Sequence, residues 1–313
     1  MNKIIIFIAL FLFIKSNEDP VSNLIENGEI VKIRGYYESP DTDVFLKNDP
    51  YLSRPAKFID YAESLKIVYD DWNILELKKN TALSVSYGNL TQFIKSDKIQ
   101  TETNLYKFLS HIDEYASPTI TKFDMPIFIR EELSLPSILE CDYLKNRFVE
   151  VQMNFYMNFE TYSPFETSES DQLVCMLKGN FSSVLLRPEE YEKFLLNQNS
   201  KDDLKNVKHS IGEIEKGQCF YVPSKSYYTI KTSEAWFYSI SWIPVTEAVN
   251  QTDCFLSNRE AKKTKLSDLA YKKDFGRANR ETKTGFVSYF LFYLDSDQIT
   301  GINKENFIEK MQQ

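Results

Sequence analysis

Residues 148–187 read FVEVQMNFYMNFETYSPFETSESDQLVCMLKGNFSSVLLR, and residues 217–243 read GQCFYVPSKSYYTIKTSEAWFYSISWI. Within them, the runs 148–159, 172–178, 182–186, 218–222, 227–231 and 236–243 are short, rich in aromatic and β-branched residues, and bounded by Gly, Pro, Ser or Asn. Short runs of that kind at regular intervals predict the strands of a β-sandwich or barrel. Lys178-Gly179-Asn180 reads as a hairpin turn between two apolar strands. The polar stretch 197–208, NQNSKDDLKNVK, reads as a solvent loop, with His209 as a surface residue at its end.

Upstream, residues 20–140 mix helix and strand signals. Residues 53–59 give a turn and then an extended segment, residues 65–77 around Trp72 have helical character, and residues 82–87 alternate like a strand broken by Gly88 and Asn89. Residues 104–112 carry apolar residues at helical spacing, with His111 flanking that face. Downstream, residues 255–313 return to helical character. Nine Lys/Arg against four Asp/Glu between Arg259 and Lys283 read as a solvated helical face rather than a nucleic-acid surface.

Composition narrows the function classes. The chain has 313 residues, 42% hydrophobic and 26% charged, as expected of a globular protein. Two histidines nearly exclude metal chemistry that needs several imidazoles, and 9 Gly beside 23 Phe and 19 Tyr argue against Gly-rich nucleotide loops. The formal charge of −8 gives no reason to expect a nucleic-acid partner.

The first 17 residues carry Lys3 and then an unbroken apolar run of 11 residues, Ile4 to Ile14. That run is shorter than the roughly 20 residues a bilayer span needs and suits the core of a signal peptide. The competing readings are a buried strand or a tilted anchor. After cleavage no stable membrane span is expected. The sequons at Asn89, Asn180 and Asn250 are glycosylation candidates, and the even count of Cys141, Cys175, Cys219 and Cys254 suits an oxidising compartment. Together these place the chain in the secretory pathway, either in the endoplasmic reticulum lumen or secreted.

Three blocks then follow in a specific order. The first is Ser163-Pro164-Phe165-Glu166-Thr167-Ser168 with Asp171 to Gly179 behind it, the second is Val184-Leu185-Leu186-Arg187-Pro188, and the third is Gly217-Gln218-Cys219-Phe220-Tyr221-Val222-Pro223 with Tyr227-Tyr228. This order resembles the Jumonji-C and cupin-like family of Fe(II)- and 2-oxoglutarate-dependent dioxygenases over roughly residues 30–245. The resemblance implies a mainly β fold with α/β decorations. Its core would be a double-stranded β-helix, or jelly roll, over residues 148–245 of a domain spanning 18–250. N-terminal helices and a C-terminal helical segment over 251–313 would complete the chain.

The resemblance also implies a site. The family holds Fe(II) with two imidazoles and a carboxylate, leaving positions for 2-oxoglutarate and dioxygen. Here the first His position is Glu166, the Asp position is Ser168, the second His position is Tyr228, and the Lys that pairs with 2-oxoglutarate is Phe181. Ser163 keeps the hydroxyl before the Pro. A neutral hydroxyl and a phenol with an ordinary pKa near ~10 are poor iron ligands, so neither catalytic residues nor a metal or cofactor are expected. In the resembled fold the strands of Cys175 and Cys219 are neighbours. That allows a cross-strand disulfide, with two buried thiols an equal alternative and Cys141 and Cys254 either paired or single.

Residues 285–308 carry a degenerate EF-hand half. Asp295 and Asp297 stand at loop positions 1 and 3, but Ile299 occupies position 5 and Asn306 position 12, so calcium binding is not expected. The resulting expectation is a pseudoenzyme, a dioxygenase-like barrel that binds or scaffolds an unknown protein or peptide partner. Its mouth would be lined by Phe165, Phe181 and Tyr228. The alternative is an active lumenal protein hydroxylase with unusual Fe(II) ligation and 2-oxoglutarate.

Overall fold

The computed structural model of the chain describes residues 19–38, 40–59, 84–89, 101–104, 119–125, 127–163, 165–198, 200–246, 254 and 264–271. The leader, the 65–77 and 104–112 segments with His111, the sequon at Asn250 and the EF-hand-like segment lie outside the described residues.

The architecture is mainly β with few helices. Two 16-residue strands, β8 (Asp171–Leu186) and β11 (Tyr227–Trp242), run antiparallel along nearly their whole length, from Tyr227 opposite Leu186 to Trp242 opposite Asp171. Register shifts between Lys231 and Ala235 and between Trp236 and Phe237 interrupt the ladder. They divide both strands into halves that take different neighbours. In one half, β7 (Phe148–Phe159) lies on the outer side of β11, while β10 (Cys219–Val222) pairs with β8. In the other half, β9 (Lys208–Glu215) pairs with β8 from Asn180 to Leu185.

Further strands extend these halves. β3 (Ala56–Phe58) pairs with β10, and β2 (Arg34–Tyr36) lies parallel to β3. β6 (Thr119–Asp124) pairs with β7, followed outward by β4 (Ser84–Asn89) and β5 (Thr101–Asn104). β1 (Glu29–Ile30) runs parallel to β9. The helices are α1 (Pro20–Asn27), α2 (Thr42–Asn48), α3 (Ile127–Glu132), α4 (Pro188–Asn197) and α5 (Lys201–Leu204).

Side-chain alternation along the two long strands sorts the core into layers. Leu173, Cys175 and Leu177 face the cluster that holds Trp236, Tyr238, Ile240 and Trp242, covered by Phe45 and Leu46 of α2 and Ile129 of α3. The opposite face, carrying Val174, Met176 and Phe181, meets Tyr156, Phe220, Ile230 and Phe237 in an aromatic interior shared by both halves. Beyond the second half, Val184 and Leu186 meet Val21 and Leu24 of α1 and Tyr191 and Phe194 of α4. Strand period two thus feeds three separate apolar layers from one pair of strands.

Several expectations change here. Lys178-Gly179-Asn180 is not a hairpin turn but part of the continuous strand β8. Gly179 has φ +76°, and a Cβ there would lie 2.0 Å from the Glu234 carbonyl oxygen, so this irregularity admits only glycine. Asn180 is exposed there, which suits a glycan even without a turn. The 227–231 and 236–243 runs likewise fuse into β11, and β4 runs on through Gly88 and Asn89. The supposed solvent loop contains α5 and is preceded by α4, whose Pro188 sits in the first turn beside Glu189 and Glu190.

All four cysteines are paired. Cys175–Cys219 joins directly opposed residues of β8 and β10, and Cys141–Cys254 ties the chain ahead of β7 to the chain beyond β11. Both bonds are at home in an oxidising compartment. No helix among the described residues is long and apolar enough to cross a membrane.

Asp171, at the start of β8, is 2% exposed. The Tyr221 hydroxyl and the Ser224 amide each donate to one carboxylate oxygen at 2.9 Å, and the Val245 amide donates to the other at 3.4 Å. Burial outweighs these bonds and pushes the carboxyl up from 3.8 to about 6. The folded state therefore holds the proton more tightly than the unfolded chain. The stability contributed by this group is fully present below about 3.8 and lost as pH rises through about 6. Asp171→Asn removes that dependence. Urea unfolding should show wild type gaining on the variant by roughly 2 kcal/mol between pH 7 and pH 4, from ~1.4 kcal/mol per pKa unit. A gap that stays constant or narrows on acidification contradicts this assignment.

Candidate functional site

The segment 162–168 forms a short edge against the first half of β11. The Ser163 amide donates to the Ile230 carbonyl at 2.7 Å, and Glu166 and Tyr228 exchange both backbone hydrogen bonds at 2.8 Å. Ser163 is 1% exposed and anchors the edge. Its hydroxyl accepts from the Ile230 amide at 2.9 Å and lies 3.3 Å from the Thr229 hydroxyl, which donates to the Ser163 carbonyl. Every oxygen of Ser163 is thereby engaged inside the protein.

The bridge brings together Glu166 and Tyr228, two of the three residues that the resemblance sets at iron-ligand positions. The Glu166 carboxylate accepts from the Tyr156 hydroxyl at 2.6 Å on one oxygen and from the Tyr228 hydroxyl at 3.3 Å on the other. Tyr156 is fully buried, and burial first, then the neighbouring Glu166 charge, raises its pKa well above the ordinary value. The same two causes raise Tyr228. Both phenols therefore stay protonated and act as donors to the carboxylate. Ser168 follows two residues on, where its hydroxyl accepts from the Ser170 amide at 3.1 Å and its carbonyl accepts from Lys225 at 2.6 Å.

Aromatic rings fill the space behind this carboxylate. Tyr156 and Phe237 stack at 5.5 Å, Phe181 meets Phe237 at 5.5 Å, and Tyr228 packs against the same cluster. Phe181 is 4% exposed. Phe165 lies elsewhere, against the expectation that it lines the mouth. It faces outward onto Tyr191 and Phe194 of α4, at 5.2 and 5.5 Å, because Glu166 beside it takes the inward side of the edge.

This donor set does not fit Fe(II). The single carboxylate is bound by two phenols that keep their protons, the hydroxyl at Ser168 is a neutral oxygen, and no imidazole stands at either matching position. Nor does it fit 2-oxoglutarate. A ring stands where a cation is needed, and the Ser163 hydroxyl is engaged with the backbone. Tyr156 is the member of this cluster that sequence reading missed. It lies within the recognised strand 148–159, on the face that alternation assigns to the interior. No protein-family model matches the chain, and no curated protein sequence matches it.

The filled interior has a direct test. Phe181→Lys restores the cation found in the resembled family but places it among aromatic rings without a counter-charge, so it should cost about 4 kcal/mol or more in chemical denaturation. A cost below about 1 kcal/mol would mean that the site is open to water at this point.

Proposed function

We propose that this chain is a catalytically inactive relative of the Jumonji-C and cupin-like dioxygenases, working as a binding or scaffold protein of the secretory pathway, in the endoplasmic reticulum lumen or outside the cell. Its core is read as a double-stranded β-helix. The order β7, β11, β8, β10 in one half, and segment 162–166, β11, β8, β9 in the other, supports that reading. The disulfides and the exposed Asn180 support the compartment.

One observation carries the functional conclusion. The carboxylate at the first ligand position is engaged by two buried-side phenols, one of them standing at the second ligand position, in front of an aromatic plug. A group that has its hydrogen bonds met internally has little to gain from a metal, since both phenol bonds must be broken first. The barrel then serves as a rigid frame, and recognition moves to its outer surface and its edges.

Elemental analysis with a thermal melt tests this. A ligand present at a hundred times its Kd adds about 2.7 kcal/mol to native stability. The purified chain should carry no stoichiometric iron, and neither anaerobic Fe(II) nor 2-oxoglutarate should move its melting temperature. Stoichiometric iron with a clear upward shift would overturn the reading and revive a hydroxylase.

A further inference from the structure

His209 is not the surface residue its position after a polar stretch suggests. It is 1% exposed, because β1 runs alongside β9 and places Ile30 opposite it. Gly28 passes so close that a Cβ there would lie 2.8 Å from the imidazole Nδ1. The Val207 carbonyl accepts from the Glu29 amide at 2.9 Å and also lies near enough to the His209 ring to favour its protonated form. Burial outweighs this and lowers the imidazole pKa.

His209 stands in the wall of a cleft of about 750 Å³, where the chain from β1 to β2 crosses the ends of β8 and β9. Lys32, Arg34, Arg54, Arg187 and Lys208 line this cleft. Facing them are three carboxylates, of which two are committed. Asp49 accepts from the Tyr36 hydroxyl and pairs with Arg34 at 3.7 Å, while Glu190 accepts from Lys193 and from the Lys208 amide, both at 2.8 Å. Glu189 remains exposed at the rim. Arg54 and Arg187 are exposed; Arg54 stands close enough to Asp49 for its charge to lower that carboxyl's pKa, while Arg187 has no ion pair among the described residues. The buried hydroxyl residues Ser210 and Ser226 complete the lining. The ten-residue helix α4 begins at the same place, with no side-chain cap on its first turn.

We infer that this cleft is a binding site for a small molecule carrying a phosphate monoester, held by Arg54 and Arg187. Two exposed guanidinium groups, each a fork of planar donors, match a doubly charged group with three terminal oxygens. The hydroxyl side chains of Ser210 and Ser226 add neutral donors. The volume is that of a small-molecule pocket rather than of a bare ion site. The site shares no residue with the Glu166 cluster, so it stands whether or not that cluster holds a metal.

Calorimetric titration of the full chain at matched ionic strength tests the assignment, with glucose 6-phosphate, inorganic phosphate and glucose as probes. Glucose 6-phosphate should bind and glucose should not. Arg54→Gln and Arg187→Gln should each weaken binding tenfold or more, and Arg187→Gln should leave the ligand-free melting temperature unchanged because its side chain is exposed and unpaired among the described residues. Binding of inorganic phosphate as tight as that of glucose 6-phosphate would support the phosphate site and assign it to the free ion. Failure of both phosphates to bind beyond a sodium chloride control, or binding unchanged in both variants, would overturn the proposal.

Discussion

The continuous antiparallel pairing of β8 with β11 is the constraint on which the rest of the structure depends. Both strands run through two halves of the sheet, and the irregularity around Gly179 and Lys231–Ala235 lets them change neighbours without breaking. Because side chains alternate along an uninterrupted strand, each half exposes one face to a shared interior and the other to a covering of helices. The Cys175–Cys219 disulfide fixes β10 beside β8 at one end. At the other end, the Ser163 to Glu166 edge hangs on the first residues of β11 and brings Glu166 next to Tyr228. The candidate site is thus a consequence of strand pairing, with its position set before any side-chain chemistry is considered.

What occupies that position is a polar cluster that meets its own needs. One carboxylate and two phenols satisfy one another, and phenylalanines pack behind them. Removing a buried polar group's partner is costly, while replacing a whole set by a self-satisfied one costs little. That asymmetry lets a lone carboxylate sit against this aromatic interior at little cost. The outer cleft has the opposite character, lined by cationic side chains beside a buried imidazole.

Much of the sheet is legible in the sequence because its strands carry aromatic and β-branched runs of the right length. The 148–159 run coincides with β7. What was not legible depends on partners distant in sequence. Lys178-Gly179-Asn180 has the same local chemistry in a hairpin as in a strand irregularity, and only the strands on either side decide between them. His209 follows a polar stretch, and its burial comes from β1 laid across it some 180 residues away in sequence. The resemblance puts Phe165 at the mouth with Phe181 and Tyr228, whereas alternation sends it to the face opposite that of its neighbour Glu166. Helix α4 did carry its own signal, a Pro and two Glu in the first turn with Tyr191 and Phe194 three apart.

The central claim is that Glu166 is held internally by tyrosine hydroxyls rather than kept free for a ligand. A double-mutant cycle on unfolding free energy between Tyr156→Phe and Glu166→Gln measures that bond most directly, because it isolates the interaction of the pair from the packing of each ring and chain. A favourable coupling of about 1 kcal/mol or more is predicted, as for a hydrogen bond to a charged group. A coupling near zero, or an unfavourable one, would contradict the account and return Glu166 to the role of an available carboxylate.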